Sequence, residues 1–186
     1  MELDEKQLLI GLYLAYFGRP LRYYDEVIFL HLKGDRSIQE GFSTFIYNLS
    51  EFHHSYSAPK PIEHQINVLY NNLFCRDVDN DGLMYWSKSL KSSSKGIESL
   101  ANNLIYDTYQ LTVLNNNQAI IDYRTLLNKI EVCKLLIDII RNDNKYNSLY
   151  NPISYEPWIS GYFIDEITSF IRKVDSEYQT SIKALD

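Results

Sequence analysis

The chain has 186 residues, of which 45% are hydrophobic and 23% charged, with a net charge of −6. These are the proportions of an ordinary folded globular protein, and they argue against a largely disordered chain. The negative balance, with no basic patch in the sequence, argues against nucleic acid as a partner. A chain this long buries roughly 70% of its unfolded surface, so it can hold a core without a disulfide or a metal.

The apolar residues recur with helical period along most of the chain. Leu8, Leu9, Leu12, Tyr13, Tyr16 and Phe17 define a first helix, which Asp4 caps and Gly18 ends before Pro20. A second helix covers 23–33 and stops at Gly34-Asp35. Ser37 caps a third over 38–49, with Phe42, Phe45, Ile46 and Leu49 on one face. A Ser, Ala and Pro-rich turn at 55–61 precedes helices at 62–74 and 82–90. A serine break at 92–94 leads to a helix at 97–109, and an Asn run at 115–117 to a long one at 120–141. After an Asn-rich loop at 142–157, a last helix is expected over 159–184, interrupted near Gly161. Few segments alternate with period two, so the predicted fold class is all-α.

An internal repeat runs through the first half at an offset of 57 residues. Leu12-Tyr13 aligns with Leu69-Tyr70, and Phe17-Gly18-Arg19 with Phe74-Cys75-Arg76. Ile28-Phe29 aligns with Tyr85-Trp86 and, after a small gap, 38–49 with 97–108, pairing Tyr47 with Tyr106. Two tandem three-helix repeats packed in one core account for residues 1–112. Residues 113–186 form a C-terminal helical extension packing on them.

Several residue patterns carry candidate chemistry. Asp77, Asp79 and Asp81 before Gly82 match the first half of a calcium loop, which needs several hard oxygen ligands. Lys88 stands at the twelfth position, where a bidentate carboxylate should close such a loop. N-capping of the following helix is the favoured role for Asp79 or Asp81, and calcium binding is expected to be weak at most. No other cofactor is expected. Arg19 and Arg76, at equivalent helix ends, fit either carbonyl and carboxylate bonding or the binding of a phosphate or acidic sugar. Sixteen tyrosines are many for this length. Tyr23, Tyr24 and Trp158 join the two arginines as candidate ligand-binding residues, because flat amphipathic rings stack on sugars. His31, His53, His54 and His64 have no metal-ligand spacing, and no catalytic order of Ser, His, Cys or Asp stands out, so an enzyme is not expected. Cys75 and Cys133 are read as buried thiols. No run of about 18 apolar residues occurs, so no membrane span is expected. The acidic N-terminus is unlike a cleaved secretory signal.

Leu12-Tyr13, Phe17-Gly18-Arg19-Pro20, Ser50-Glu51-Phe52, Asp79, Gly82, Tyr85-Trp86 and Leu127-Asn128-Lys129-Ile130-Glu131-Val132 together resemble the bacterial DUF4214 domain over about residues 8–135. The chain departs from that pattern at Tyr23-Tyr24-Asp25, where the family usually has Asp followed by Gly. The resemblance implies a bacterial cell-surface or extracellular setting of the S-layer kind, with a cytoplasmic setting as the alternative. It supplies no catalytic residues. The function it implies is a non-enzymatic binding or anchoring module for a surface polysaccharide or lipopolysaccharide. A second expectation is a protein–protein adaptor working through its long C-terminal helices. A distant likeness to phycobilisome linker domains, at fold level only, favours that second partner class.

Overall fold

Helix α1 (Glu5–Phe17) is buried on every side from Leu9 to Phe17 and forms the axis of the molecule. A helix apolar all round must be enclosed by others, and α1 is. It packs on α3 (Ile38–Ile46), α5 (Ile62–Phe74), α7 (Leu100–Val113) and α8 (Asn117–Asn142). The computed structural model describes residues 2–56, 60–92, 96–142 and 162–178. The remaining elements are α2 (Tyr23–Lys33), α4 (Ser50–Tyr56), α6 (Asn80–Ser92), a 3-10 turn at Ile97–Ser99 leading into α7, and α9 (Tyr162–Arg172). No strand occurs among the described residues, and the fold is all-α.

Local chemistry sets the helix ends. Asp4 and Gln7 form a reciprocal capping box at the start of α1, and Ser37 and Glu40 repeat it at α3. Gly18 closes α1 in the left-handed region at φ 65°. A Cβ there would lie 2.8 Å from the Asn72 side-chain oxygen, so glycine answers both the backbone and the space.

Several boundaries differ from the sequence expectation. The third helix ends at Ile46, and a separate helix α4 follows where a turn was expected from residue 55. Asn48 and Leu49 donate to Phe45 and Ile46 in tight three-residue steps. The chain is thereby re-aimed so that Phe52 and Tyr56, one helical turn apart, both meet the ring of Tyr16. The helix after Asp79 starts two residues early, at Asn80. At the C-terminus, α9 stops at Arg172 and 173–178 form turns. There Val174 enters the core fully buried, and the Cys75 thiol donates to the carbonyls of Arg172 and Val174, both at 3.1 Å. The loop expected at 142–157 and the helix beyond residue 178 fall largely outside the described residues.

The paired positions of the repeat mostly share environments. Leu12 and Leu69, Phe17 and Phe74, Phe29 and Trp86, and Phe45 and Leu104 are all buried, while Tyr47 and Tyr106 are both exposed. Ile28 is partly buried and its counterpart Tyr85 exposed. The C-terminal part is no loose appendage, because α8 packs against α1, α5 and α7 and carries α9 on it. The long helix expected as a docking surface therefore spends one face on the core.

Several tyrosines complete that core. Tyr56 donates to the backbone carbonyl of Tyr16 at 2.9 Å, and Tyr16 donates to the carbonyl of Ile97 at 2.8 Å. Burial raises the phenol pKa of Tyr13, Tyr16 and Tyr56 above the usual value. A phenol whose folded pKa is raised contributes stability that is complete below pH about 10 and is lost as pH climbs past it. In an alkaline titration followed by phenolate absorbance, Tyr13, Tyr16 and Tyr56 should therefore ionise only together with loss of helical circular dichroism. Ionisation of all sixteen tyrosines in one reversible phase with the helices intact would contradict this packing.

Candidate functional site

Arg19 follows the end of α1, and its side chain is 1% exposed. Its guanidinium bonds the carboxylate of Glu51 on α4 through Nε, at 3.2 Å, and through a terminal nitrogen. It also lies 5.2 and 5.4 Å from the ring centres of Tyr13 and Phe17. Its charge is desolvated and paired within the protein, a structural role that leaves almost none of the side chain open to a ligand. Arg76 at the end of α5 repeats the arrangement. It lies 5.2 Å from the Tyr70 ring centre and makes a two-pronged bond to Asp122 on α8 at 2.9 and 2.6 Å. In each half the partner carboxylate comes from the fourth helix. Arg76 keeps 27% of its side chain exposed, but its donors also bond the Asp77 carbonyl at 3.0 Å.

The Asp77–Gly82 turn resolves in favour of capping. Asp79 Oδ1 accepts from the Gly82 N–H at 2.8 Å, and its other oxygen lies 3.8 Å from Arg76. Asp77 Oδ1 accepts from the Asn71 side-chain amide at 2.7 Å. Asp81 is exposed within the first turn of α6. No group of three His, Cys, Asp or Glu placed to hold a metal occurs among the described residues.

Tyr23 and Tyr24 sit in the first turn of α2, but their side chains lie outside the described residues, as does Trp158. Lys129, which the sequence reading left in a motif without a role, is fully buried and donates to the carbonyls of Asn71 and Asn72 at 3.3 and 2.6 Å. It thereby ties α8 to the last turn of α5, and burial lowers its pKa.

The open cleft beside α1 is the place suited to a ligand. Tyr106 and Tyr109 reach it from α7, one turn apart, and Tyr123 from α8, with Asn102, Gln39, Ile105, Leu3, Leu8 and Glu2 completing the walls. Its volume is about 60 Å³. The rings of Tyr109 and Tyr123 are 5.4 Å apart and tilted by 44°. The Tyr123 phenol is pushed up to about 12 by burial, then by Tyr109 and Glu2. None of the candidate residues from the sequence lines it. The three-residue step from Tyr106 to Tyr109 was visible, but Tyr123 joins them only through the packing of α8 on α7.

With this geometry in hand, comparison with known proteins adds one match. Residues 43–104 fit the DUF4214 family model, a domain of unknown function. The match is narrower than the 8–135 read from the motifs. It contains Ser50-Glu51-Phe52, Asp79, Gly82 and Tyr85-Trp86, and it ends before Tyr106, Tyr109 and Tyr123. No curated protein and no solved structure matches the chain. Within the matched segment Glu51 neutralises Arg19, Phe52 packs on Tyr16, Asp79 caps α6 and Trp86 bonds Tyr70. These are tasks of folding. Among the described residues no helix is long and apolar enough to cross a membrane.

Proposed function

We propose, from a DUF4214 segment whose motif residues serve the fold and a tyrosine cleft beside it, that the chain is a non-enzymatic binding module for a bacterial surface glycan. The observation that carries this is the convergence of Tyr106, Tyr109 and Tyr123 with the amides of Asn102 and Gln39. Phenol rings give flat apolar faces to a sugar, and side-chain amides give donors and acceptors for its substituents. The same module on a cell surface would anchor whatever it is joined to.

The test uses Tyr106, whose side chain is 55% exposed, so that truncation should move stability by no more than about 0.5 kcal/mol. Binding of a panel of bacterial glycans would be followed by nuclear magnetic resonance shifts of the intact chain. Tyr106→Ala should weaken binding about tenfold, the equivalent of about 1.4 kcal/mol, with melting unchanged. Glycans that bind without perturbing cleft residues, or bind Tyr106→Ala equally well, would remove the cleft from this reading.

A second reading is a protein adaptor, favoured by the corner between α7 and α8. Leu111, Val113, Leu114 and Ile121 are all exposed there, Leu114 to 74%. Solution mass across a concentration series tests the self-associating form of that reading.

A further inference from the structure

We infer that the group seated in the tyrosine cleft is an alkylammonium cation, as in a choline substituent or an unacetylated amino sugar. This rests on the glycan-binding reading and specifies which part of the glycan enters. Three observations carry it. Among the described residues the walls hold one carboxylate, Glu2, and no Lys, Arg or His. The aromatic members are three phenols, whose π faces are the negative part of the ring quadrupole and attract a cation within about 6 Å. The volume is about 60 Å³, too small to enclose a whole sugar ring. That suits a small head group, with the rest of a sugar or chain left outside on Tyr106.

The same charges select against the alternatives. A phosphate or uronate in the cleft would face the Glu2 carboxylate and the ring faces with no basic side chain on the walls to receive it. The anionic core of lipopolysaccharide is therefore a poor occupant here, and an amine-bearing or choline-bearing chain a good one. Asn102 and Gln39 offer carbonyl oxygens for the N–H groups of a primary ammonium, whereas a trimethylammonium needs only the rings. The Tyr123 phenol is raised first by burial and only then by Tyr109 and Glu2, so the cation reading stands on the wall residues and not on that shift.

The experiment titrates the full chain with choline and with its uncharged isostere 3,3-dimethylbutan-1-ol, and with glucosamine against N-acetylglucosamine and methyl glucoside. Inorganic phosphate is the anionic probe. Tyrosine fluorescence and amide shifts at neutral pH report occupancy. Choline or glucosamine should bind about tenfold more tightly than its neutral counterpart. Binding should weaken with salt and weaken about threefold in Glu2→Gln. Choline preference would assign a quaternary head group, and glucosamine preference a primary one. Equal or better binding of the neutral sugars would overturn the cation inference and leave the glycan reading standing. Phosphate binding at the cleft would also overturn the cation inference. Failure of every sugar and every cation to bind would remove both.

Discussion

Alanine in place of Trp86 is expected to cost the fold about 3–5 kcal/mol, the range for emptying a large aromatic site in a packed core. The indole is 5% exposed on α6, and Leu83 and Leu90, one helical turn to either side, pack on the same core. Its Nε1 donates to the Tyr70 hydroxyl at 2.9 Å. Tyr70 in turn contacts Phe74 edge-on and lies beneath Arg76, so the hole would open under the whole end of α5. Trp86→Phe separates the two contributions. It keeps most of the volume and removes the N–H donor, at an expected cost of about 1 kcal/mol. Urea unfolding of both variants measures this. If Trp86→Ala changed stability by no more than the roughly 0.5 kcal/mol scatter of surface substitutions, Trp86 would not be a core residue.

Glu51→Ala should cost about 3 kcal/mol, more than simultaneous replacement of both partners by apolar residues. Removing one partner of a buried pair strands the other charge, whereas replacing both removes the desolvation cost as well. Arg19 is 1% exposed and Glu51 39%, so the stranded guanidinium is the buried member. The figure sits at the low end of the usual range because water can enter where Glu51 leaves. The rings of Tyr13 and Phe17 retain part of the attraction. Chemical denaturation of Glu51→Ala, Arg19→Met and the double variant gives the comparison. A double variant less stable than Glu51→Ala would show that the ion pair contributes more than its desolvation takes away.

The helices legible in the sequence are those whose ends are written locally. Asp4 with Gln7, Ser37 with Glu40, and Gly18 before Pro20 need only neighbours within one turn to act, and each end falls where expected, apart from the C-terminal end of α3. What escaped the sequence depends on distant partners. Arg19 meets Glu51 32 positions away and Arg76 meets Asp122 46 positions away, so neither could be assigned to structure or ligand from the helix end alone. Helix α4 escaped because Phe52 and Tyr56 are explained only by the ring of Tyr16 beneath them. The departure at Asp25 now has a cause. Asp25 aligns with Gly82, and Phe29 with Trp86. In the second half Trp86 satisfies the Tyr70 hydroxyl, and Gly82 has no room for a side chain, since a Cβ there would lie 2.9 Å from Val78 and 3.2 Å from the Asp79 carboxylate. Phe29 has no N–H to offer Tyr13, and the Tyr13 hydroxyl donates to the Asp25 carboxylate instead. The cleft was the least legible feature, because its rings come from two helices and its charge from the N-terminal segment.

Gly18 and Cys75 hold the same aligned position and nearly the same left-handed backbone, at φ 65° and 59°, yet they look onto different worlds. Gly18 faces the other half, where Asn72 leaves no room for a side chain. Cys75 faces residues 172–174, and its thiol holds the last carbonyl of α9 and that of Val174 beyond it. Two like units folded into one closed body cannot both be interior to it. One helix end becomes the joint between siblings and the other becomes the rim. The position that faces Asn72 has no room for a side chain and keeps glycine, while the one that faces residues 172–174 carries a side chain on the same left-handed backbone and uses its thiol as a latch.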